Sequence, residues 1–205
     1  VGAPGRVAEG APVERELLVP HRQSDRPPLE ESLAARVIEP ERIPFIAYPY
    51  EWCFGQLKAA ALATLEIQRR ALRRGFTLKD ASSFNIAWRG CRPVLLDTLS
   101  FEPYRAGQPW AAYRQFCQHF LAPLALMRYC DPRLGHYSRI DLEGVPLDLA
   151  SRLLPGRTRL NLGLLMHLHL HASSVRRYQR AAHRAMAQAN PVVHAQPGEE
   201  AGSRP

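Results

Sequence analysis

The stretch Leu78-Lys79-Asp80-Ala81-Ser82-Ser83-Phe84-Asn85, followed by an apolar run that ends at Asp97, is the strongest predictor of the fold in this sequence. Asn85 follows Asp80 by five positions, and Asp97 lies twelve positions beyond Asn85. Phosphoryl transfer needs a carboxylate beside the acceptor hydroxyl and oxygen ligands that hold Mg²⁺ against the nucleotide phosphates. Asp80 fits the first role, and Asn85 and Asp97 fit the second.

The order of these residues is typical of kinase-fold phosphotransferases, where a catalytic Asp, an Asn and a metal-binding Asp follow one another. A long amphipathic helix predicted over 53–74 precedes them, and strands over 85–88 and 93–97 form a hairpin between them. We therefore predict an α+β domain that resembles the large lobe of a protein kinase, mostly helical with short β-hairpins.

In this interpretation Asp80 is the catalytic base. Lys79, Asn85 and Asp97 contact a bound ATP, and the oxygens of Asn85 and Asp97 also hold Mg²⁺. The same residues fit structural roles, because Asp and Asn favour turns and strand ends. A structural Asp97 would tolerate replacement by Asn, and a metal ligand would not.

The nucleotide-binding parts of a working kinase are incomplete. Such an enzyme needs a Gly-rich strand pair and a Lys on an upstream strand. The sequence has no G-x-G-x-x-G, and its first Lys is Lys58, within the predicted helix. We expect a reduced or truncated small lobe, and two functions stay open: phosphotransfer to a small hydroxylated substrate, or an inactive pseudokinase scaffold.

The rest of the chain divides by composition and periodicity. Residues 1–32 are expected to be loosely structured, as a remnant of the small lobe, 33–188 to form the kinase-like domain, and 189–205 to be a disordered tail. Further elements are predicted as follows: a short helix over 13–19, a hairpin of 35–38 with 43–48, a helix over 109–127 that Pro123 kinks or divides, a turn-rich region over 131–161, and a helix over 162–187.

The composition of the chain indicates which classes of partner and which type of protein to expect. With 46% hydrophobic residues, 22% charged residues and a net charge of +8, the chain reads as a globular cytoplasmic protein. Nucleic acid is an unlikely partner because no basic stripe is interleaved with aromatic residues. No apolar run is long enough for a membrane span, the four cysteines form no C-x-x-C pair, and the absence of an initial Met suggests a fragment.

Histidines and arginines near the C-terminus form two weaker candidate sites. His167 and His171 share a helical face and would need a third ligand to bind a metal; with His169 they are expected to be partly exposed. A solvated helix face is the expected role of the following arginines, which are Arg176, Arg177, Arg180 and Arg184.

Several segments resemble a known family over about residues 36–183. They are 43–52, 78–85, 93–102 and 109–117, and they are similar to the N-terminal region of bacterial class I S-adenosylmethionine-dependent methyltransferase proteins related to a nodulation protein. That resemblance implies a linked or associated methyltransferase domain that lies outside this chain, so that S-adenosylmethionine would bind only there.

Residues 78–97 also resemble the catalytic loop of aminoglycoside phosphotransferases. This second resemblance implies Asp80 as the base, with Asn85 and Asp97 as magnesium ligands. The chain departs from that loop by Leu78-Lys79, where His-Gly or His-Arg is common, and by Thr98 after the metal-binding Asp.

Overall fold

The computed structural model describes residues 17–28 and 37–173, which form a mixed α+β fold with three two-stranded antiparallel sheets. The strands are β1 His21–Ser24, β2 Val37–Pro40, β3 Phe76–Leu78, β4 Ile86–Arg89, β5 Arg92–Leu95 and β6 Phe101–Pro103. The α-helices are α1 Phe54–Leu72, α2 Tyr113–Phe116, α3 Ala122–Tyr129, α4 Leu147–Leu153 and α5 Leu162–Leu164. This confirms the α+β class, whereas the kinase-like lobe stays a prediction.

Helix α1 confirms the prediction over 53–74. Its first turn is capped because the Gln56 side chain accepts a hydrogen bond from the Cys53 N–H at 3.0 Å. The apolar stripe, which includes Leu57 and Ile67, is buried in the core. Gly75 follows at φ 78°, a left-handed conformation that suits glycine and turns the chain into β3.

The predicted hairpin around residues 85–97 is confirmed as β4 paired with β5. Gly90 lies in the turn at φ 61°. A second pairing was missed by the sequence analysis, since β3 pairs with β6 and Leu78 lies opposite Phe101. Three-residue strands carry too short an alternation to be recognised from sequence.

The helix predicted over 109–127 begins at Tyr113 instead, because the preceding residues form turns. It runs through a π-helical segment, Cys117–Leu121, into α3. The Ala122 N–H donates to the Cys117 carbonyl, five residues back. Pro123, which has no N–H to donate, follows directly, so the wider turn absorbs the proline that was predicted to divide the helix.

The predicted hairpin of 35–38 with 43–48 is wrong. Strand β2 pairs with β1 instead, and no strand forms over 43–48. Pro44 cannot donate to a ladder, and Phe45 is 76% exposed, so apolar character here does not reflect burial in a sheet.

The short helix predicted over 13–19 is not seen in its described part. Leu18 forms a parallel bridge with Leu95: Val19 N–H donates to the Leu95 carbonyl, and Leu95 N–H donates to the Leu17 carbonyl, both at 2.8 Å. Residues 13–16 lie outside the described residues, as does most of the range 1–32. The domain bounds therefore stay predictions.

Two of the C-terminal predictions need qualification. The turn-rich region over 131–161 contains α4, which a pair of flanking prolines, Pro146 and Pro155, made hard to recognise. The helix predicted over 162–187 is helical as far as Ser173, with a π-helical segment over Leu165–Leu170. The arginines from Arg176 to Arg184 and the tail over 189–205 lie outside the described residues.

Two hydrophobic clusters form the core. One gathers α1 and the β4–β5 hairpin around Leu57, Leu78 and Ile86. The other gathers α3, α4 and the π-helical segment over Leu165–Leu170. Phe116 packs against both clusters, which places α2 at their junction. In the described part of the chain no helix combines the length and apolar character that crossing a bilayer requires.

Candidate phosphotransfer site

The loop that carries Asp80 begins at β3, and α1 fixes its starting point. Gln68 of α1 is buried; its side-chain carbonyl accepts a hydrogen bond from Leu78 N–H at 2.8 Å, and its amide donates to the Thr77 hydroxyl at 3.0 Å. A buried amide that satisfies both partners ties the strand to the helix. Strand β3 therefore enters the loop from a fixed position.

The other side of the loop is held by residues near α2. Trp110 Nε1 donates to the Leu78 carbonyl at 2.8 Å, and the Gln115 side-chain carbonyl accepts from Ala81 N–H at 2.6 Å. Asp80 thus lies between the Leu78 carbonyl, which binds Trp110, and the Ala81 N–H, which binds Gln115. Two side chains from outside the loop hold its backbone in place.

His119, in the π-helical segment, contacts the same loop. Its Nδ1 lies 3.2 Å from the buried Ser83 hydroxyl, and its ring packs edge-on against Phe84. Burial lowers the pKa of His119 below its ordinary value, although the nearby carboxylates of Glu143, Asp80 and Asp141 act in the opposite direction. The imidazole is therefore neutral near pH 7, and it supports the loop as a hydrogen-bonding group.

The carboxylate of Asp80 is half-buried and accepts a hydrogen bond from within its own loop. Its Oδ1 accepts from Ser82 N–H at 2.9 Å, while the Ser82 hydroxyl accepts from Phe84 N–H at 3.2 Å. The bond of Asp80 is the structural turn role that its residue type favours. Lys79 is exposed, and its backbone N–H donates to the Ser100 carbonyl at 2.9 Å.

Asn85 and Asp97 lie at neighbouring strand ends. Leu96 N–H donates to the Asn85 carbonyl at 2.8 Å, one step beyond the last β4–β5 pair, so Asp97 follows the residue opposite Asn85. Within the described residues Nδ2 of Asn85 is a buried donor without a hydrogen-bond partner. A buried unpartnered amide is uncommon and is often a sign of a ligand or an ordered water.

Asp97 closes the turn that leads to β6. Its Oδ1 accepts from Leu99 N–H at 2.8 Å, and its Oδ2 accepts from the Ser100 hydroxyl at 2.6 Å. Each carboxylate oxygen can accept more than one hydrogen bond or ligand, so both keep capacity for a cation. The donor set of Asn85 and Asp97, one neutral and one anionic oxygen ligand, matches the preference of Mg²⁺. Residues 17–28 and 37–173 contain no group of three His, Cys, Asp or Glu residues placed to hold a metal.

The predicted histidine pair does share a face. Tyr113 contacts both rings: its hydroxyl lies 2.6 Å from His167 Nδ1, and its ring stacks on His171 at 5.4 Å. The pKa of His171 is lowered by burial and by the positive charges of Arg114 and His167. His169, expected to be partly exposed, is buried instead, with Ser151 and Thr158 at 2.9 and 3.0 Å from its two ring nitrogens.

Three residues that support the loop are not among those predicted from the sequence: Gln68, Gln115 and His119. Gln68 and His119 are buried polar residues on otherwise apolar helical faces, which is a usable signal because a buried polar side chain needs a specific partner, whereas Gln115 is only half-buried and gives no such signal. The partners themselves are distant in sequence and could not be read from spacing.

One curated protein aligns with 138 residues of this chain at 44% identity: the nodulation protein NoeA of Rhizobium meliloti (strain 1021). The chain is similar to one part of that protein. The match covers 67% of this chain and 29% of NoeA, so the chain spans well under half of this relative. No protein-family model matches the sequence. No solved structure matches it either.

Proposed function

We propose that this chain is a kinase-like module that binds Mg²⁺ and a nucleotide and acts as part of a longer polypeptide. The observation that carries the proposal is the hairpin pairing of Asn85 with Leu96, since it puts two oxygen-bearing side chains at adjacent strand ends. The loop with Asp80 leads directly into the same hairpin. The order of Asp80, Asn85 and Asp97 along the chain supports the proposal, because phosphotransferases of the kinase fold use these residue types in this order.

Each residue has a role within this proposal. Mg²⁺ would neutralise charge on the nucleotide phosphates and would be held by Asn85 and Asp97. Asp80 would accept the proton of an acceptor hydroxyl, and Gln115 would hold the backbone beside it through Ala81. Lys79 is exposed beside the loop and is proposed to contact the phosphates. The acceptor would be a small hydroxylated molecule.

A thermal shift with ATP and Mg²⁺ tests the proposal. A ligand that binds only the folded state raises stability by about 2.7 kcal/mol at a hundredfold excess over Kd. We expect stabilisation that requires both Mg²⁺ and ATP and is lost in Asp97→Asn. That variant keeps an acceptor for Leu99 N–H, so its melting temperature without ligand shows whether the fold is intact. Asp148→Asn is the matched control, because it makes the same change in a carboxylate that forms a partly exposed ion pair with Arg152.

No shift in the wild-type protein would exclude the nucleotide site, and a shift that survives in Asp97→Asn would exclude Asp97 as a ligand. Phosphotransfer is tested separately with Asp80→Asn. If ATP and Mg²⁺ still bind that variant while phosphate transfer stops, Asp80 acts in the chemical step.

A second candidate is a catalytically inactive scaffold, and it is favoured by the hydrogen bonds of Asp80 and Asp97. Both carboxylates already cap turns, at Ser82 and at Leu99. In that case the module would hold a linked or associated methyltransferase domain or its substrate, and S-adenosylmethionine would bind only to that domain. The sequence similarity to a fraction of NoeA supports a role within a larger protein. A pull-down with this chain as bait and the methyltransferase domain as prey, in the absence of ATP, tests this candidate.

A further inference from the structure

Between residues 149 and 173 the sequence contains no Asp or Glu, although it contains three arginines and three histidines. Arg152 is paired with Asp148, whereas Arg157 and Arg159 are exposed and form no ion pair with the described residues. The stretch over 149–173 therefore carries a net positive charge and contains no acidic residue of its own.

Large aliphatic side chains project beside these two arginines. Leu160 is 89% exposed and Leu162 is 71% exposed, which are high values for leucine in a folded chain. Met166 follows Leu162 by four positions, one helical turn further along, and is 52% exposed. We call these exposed residues, which lie within ten positions of the sequence, the Leu160 face: Arg157, Arg159, Leu160, Leu162 and Met166.

The opposite side of the same segment is already buried. Leu164 and Leu168 pack into the core with α3 and α4. A helix that is apolar on its buried side and again on its outer side has one apolar surface without cover. The Leu160 face is thus not the side that holds this segment to the domain.

A buried polar network fixes how the face is presented. Thr158 lies between Arg157 and Arg159 and is 1% exposed; its hydroxyl donates to the Pro155 carbonyl at 2.7 Å. That hydroxyl must accept from His169 Nε2, whose other nitrogen accepts from the Ser151 hydroxyl. The turn is anchored inward at Thr158, so its arginines and Leu160 are held outward.

The composition of the face indicates the class of its partner. Exposed aliphatic residues next to arginines are typical of protein surfaces that lie in the headgroup region of an anionic bilayer. Protein hot spots favour Trp and Tyr and are poor in Leu, and single-stranded nucleic acid requires aromatic stacking. The Leu160 face contains no aromatic residue. We infer that the Leu160 face docks on membranes that contain anionic phospholipid, with Leu160 and Leu162 in the acyl boundary and Arg157 and Arg159 at the phosphates.

Co-sedimentation with vesicles tests this inference on the full chain. The probes are phosphatidylcholine vesicles and phosphatidylcholine vesicles that contain phosphatidylserine. We expect binding to the second kind only, weakened by salt, and about tenfold lower in Leu160→Asp/Leu162→Asp because apolar insertion is lost. Arg157→Gln/Arg159→Gln should lower it as well, and it leaves every apolar contact in place. Leu62→Asp is the matched control, since Leu62 is 57% exposed on α1.

Three results would overturn the inference. The first is absence of binding to phosphatidylserine vesicles, and the second is equal binding by the Leu160→Asp/Leu162→Asp and Leu62→Asp variants. The third is a dimer in light scattering that Leu160→Asp/Leu162→Asp converts to a monomer, because the face would then be covered by a second copy. Thermal unfolding of each variant is measured alongside, and the arginine variant keeps the test decisive if the leucine variant fails to fold.

Discussion

The side-chain carbonyl of Gln115 accepts a hydrogen bond from the backbone N–H of Ala81 at 2.6 Å, across thirty-four positions of sequence. This bond joins α2 to the loop that carries Asp80. Replacement of Gln115 by Ala leaves a part-buried backbone donor without its partner, and we expect a loss of about 1–3 kcal/mol in the free energy of unfolding. Urea denaturation measures it, with the exposed Gln108→Ala as control. Equal midpoints for the two variants would contradict this role.

Gln68 should be more sensitive, because its amide serves both Leu78 N–H and the Thr77 hydroxyl. We expect Gln68→Leu to cost about 2 kcal/mol or more, since a buried backbone donor and a buried hydroxyl both lose their partner. A double-mutant cycle with Thr77→Val isolates the side-chain part of the coupling. Strict additivity of the two changes would rule out the bond between them.

The free energy of unfolding should decrease as the pH is lowered below about 7. Burial lowers the pKa of His119 in the folded state from its ordinary 6.5, so the unfolded chain binds more protons as the pH drops through 6.5. His171 acts in the same direction. Urea midpoints between pH 7.5 and about 5 should decrease in the wild type and decrease less in His119→Gln. Ser83→Ala, which removes the partner and keeps the imidazole, should retain a pH-dependent loss; an identical slope in His119→Gln would refute the assignment.

Gly144 should not accept a side chain. It has φ 83°, and a Cβ there would lie 2.8 Å from the Gln118 carbonyl oxygen. Gly144→Ala therefore combines backbone strain with a clash, and we expect a loss of about 2–4 kcal/mol. Gly107→Ala is the control, since Gly107 has φ 82° with open space around it and should lose only about 1–2 kcal/mol. Calorimetric melting compares them, and similar losses would contradict the clash.

Thiol labelling should distinguish the one buried cysteine from the three exposed ones. Cys53, Cys91 and Cys130 are exposed, whereas Cys117 is 1% exposed and burial raises its pKa to about 11. The thiolate is the reactive form, so we expect three thiols to react promptly and the fourth only after unfolding. Cys117→Ser should leave the prompt count at three. A prompt count of four in the wild type would show that this region opens readily.

The sequence predicts the parts of the fold that depend on local periodicity. Helix α1 has a regular apolar stripe and a glycine stop, and the β4–β5 hairpin has clear turn residues, so both were found. The pairing of β1 with β2 was missed because a strand partner is set by distant residues. The apolar residues over 43–48 predict a strand, but no strand forms there and Phe45 is largely exposed.

The roles of the candidate site residues stay predictions, and the structure tests only where these residues lie. Spacing singled out Asp80, Asn85 and Asp97, and the hairpin did bring Asn85 and Asp97 to adjacent strand ends. Spacing could not show that both carboxylates also cap turns, because such bonds depend on the backbone conformation at Ser82 and Leu99. The supporting residues Gln115 and His119 lie far along the chain and become neighbours only through packing.

The bridge between Leu18 and Leu95 joins two residues that are far apart in the sequence. Leu18 leaves the ribosome well before Leu95 exists, so the N-terminal segment must wait without its partner while α1 and the β4–β5 hairpin assemble from local contacts. Closing so long a loop is slow, because the entropy of the intervening chain is lost before the bridge repays it. We therefore expect this segment to join the edge of β5 only after α1 and the β4–β5 hairpin have formed, and its removal would leave that edge open to association with other chains.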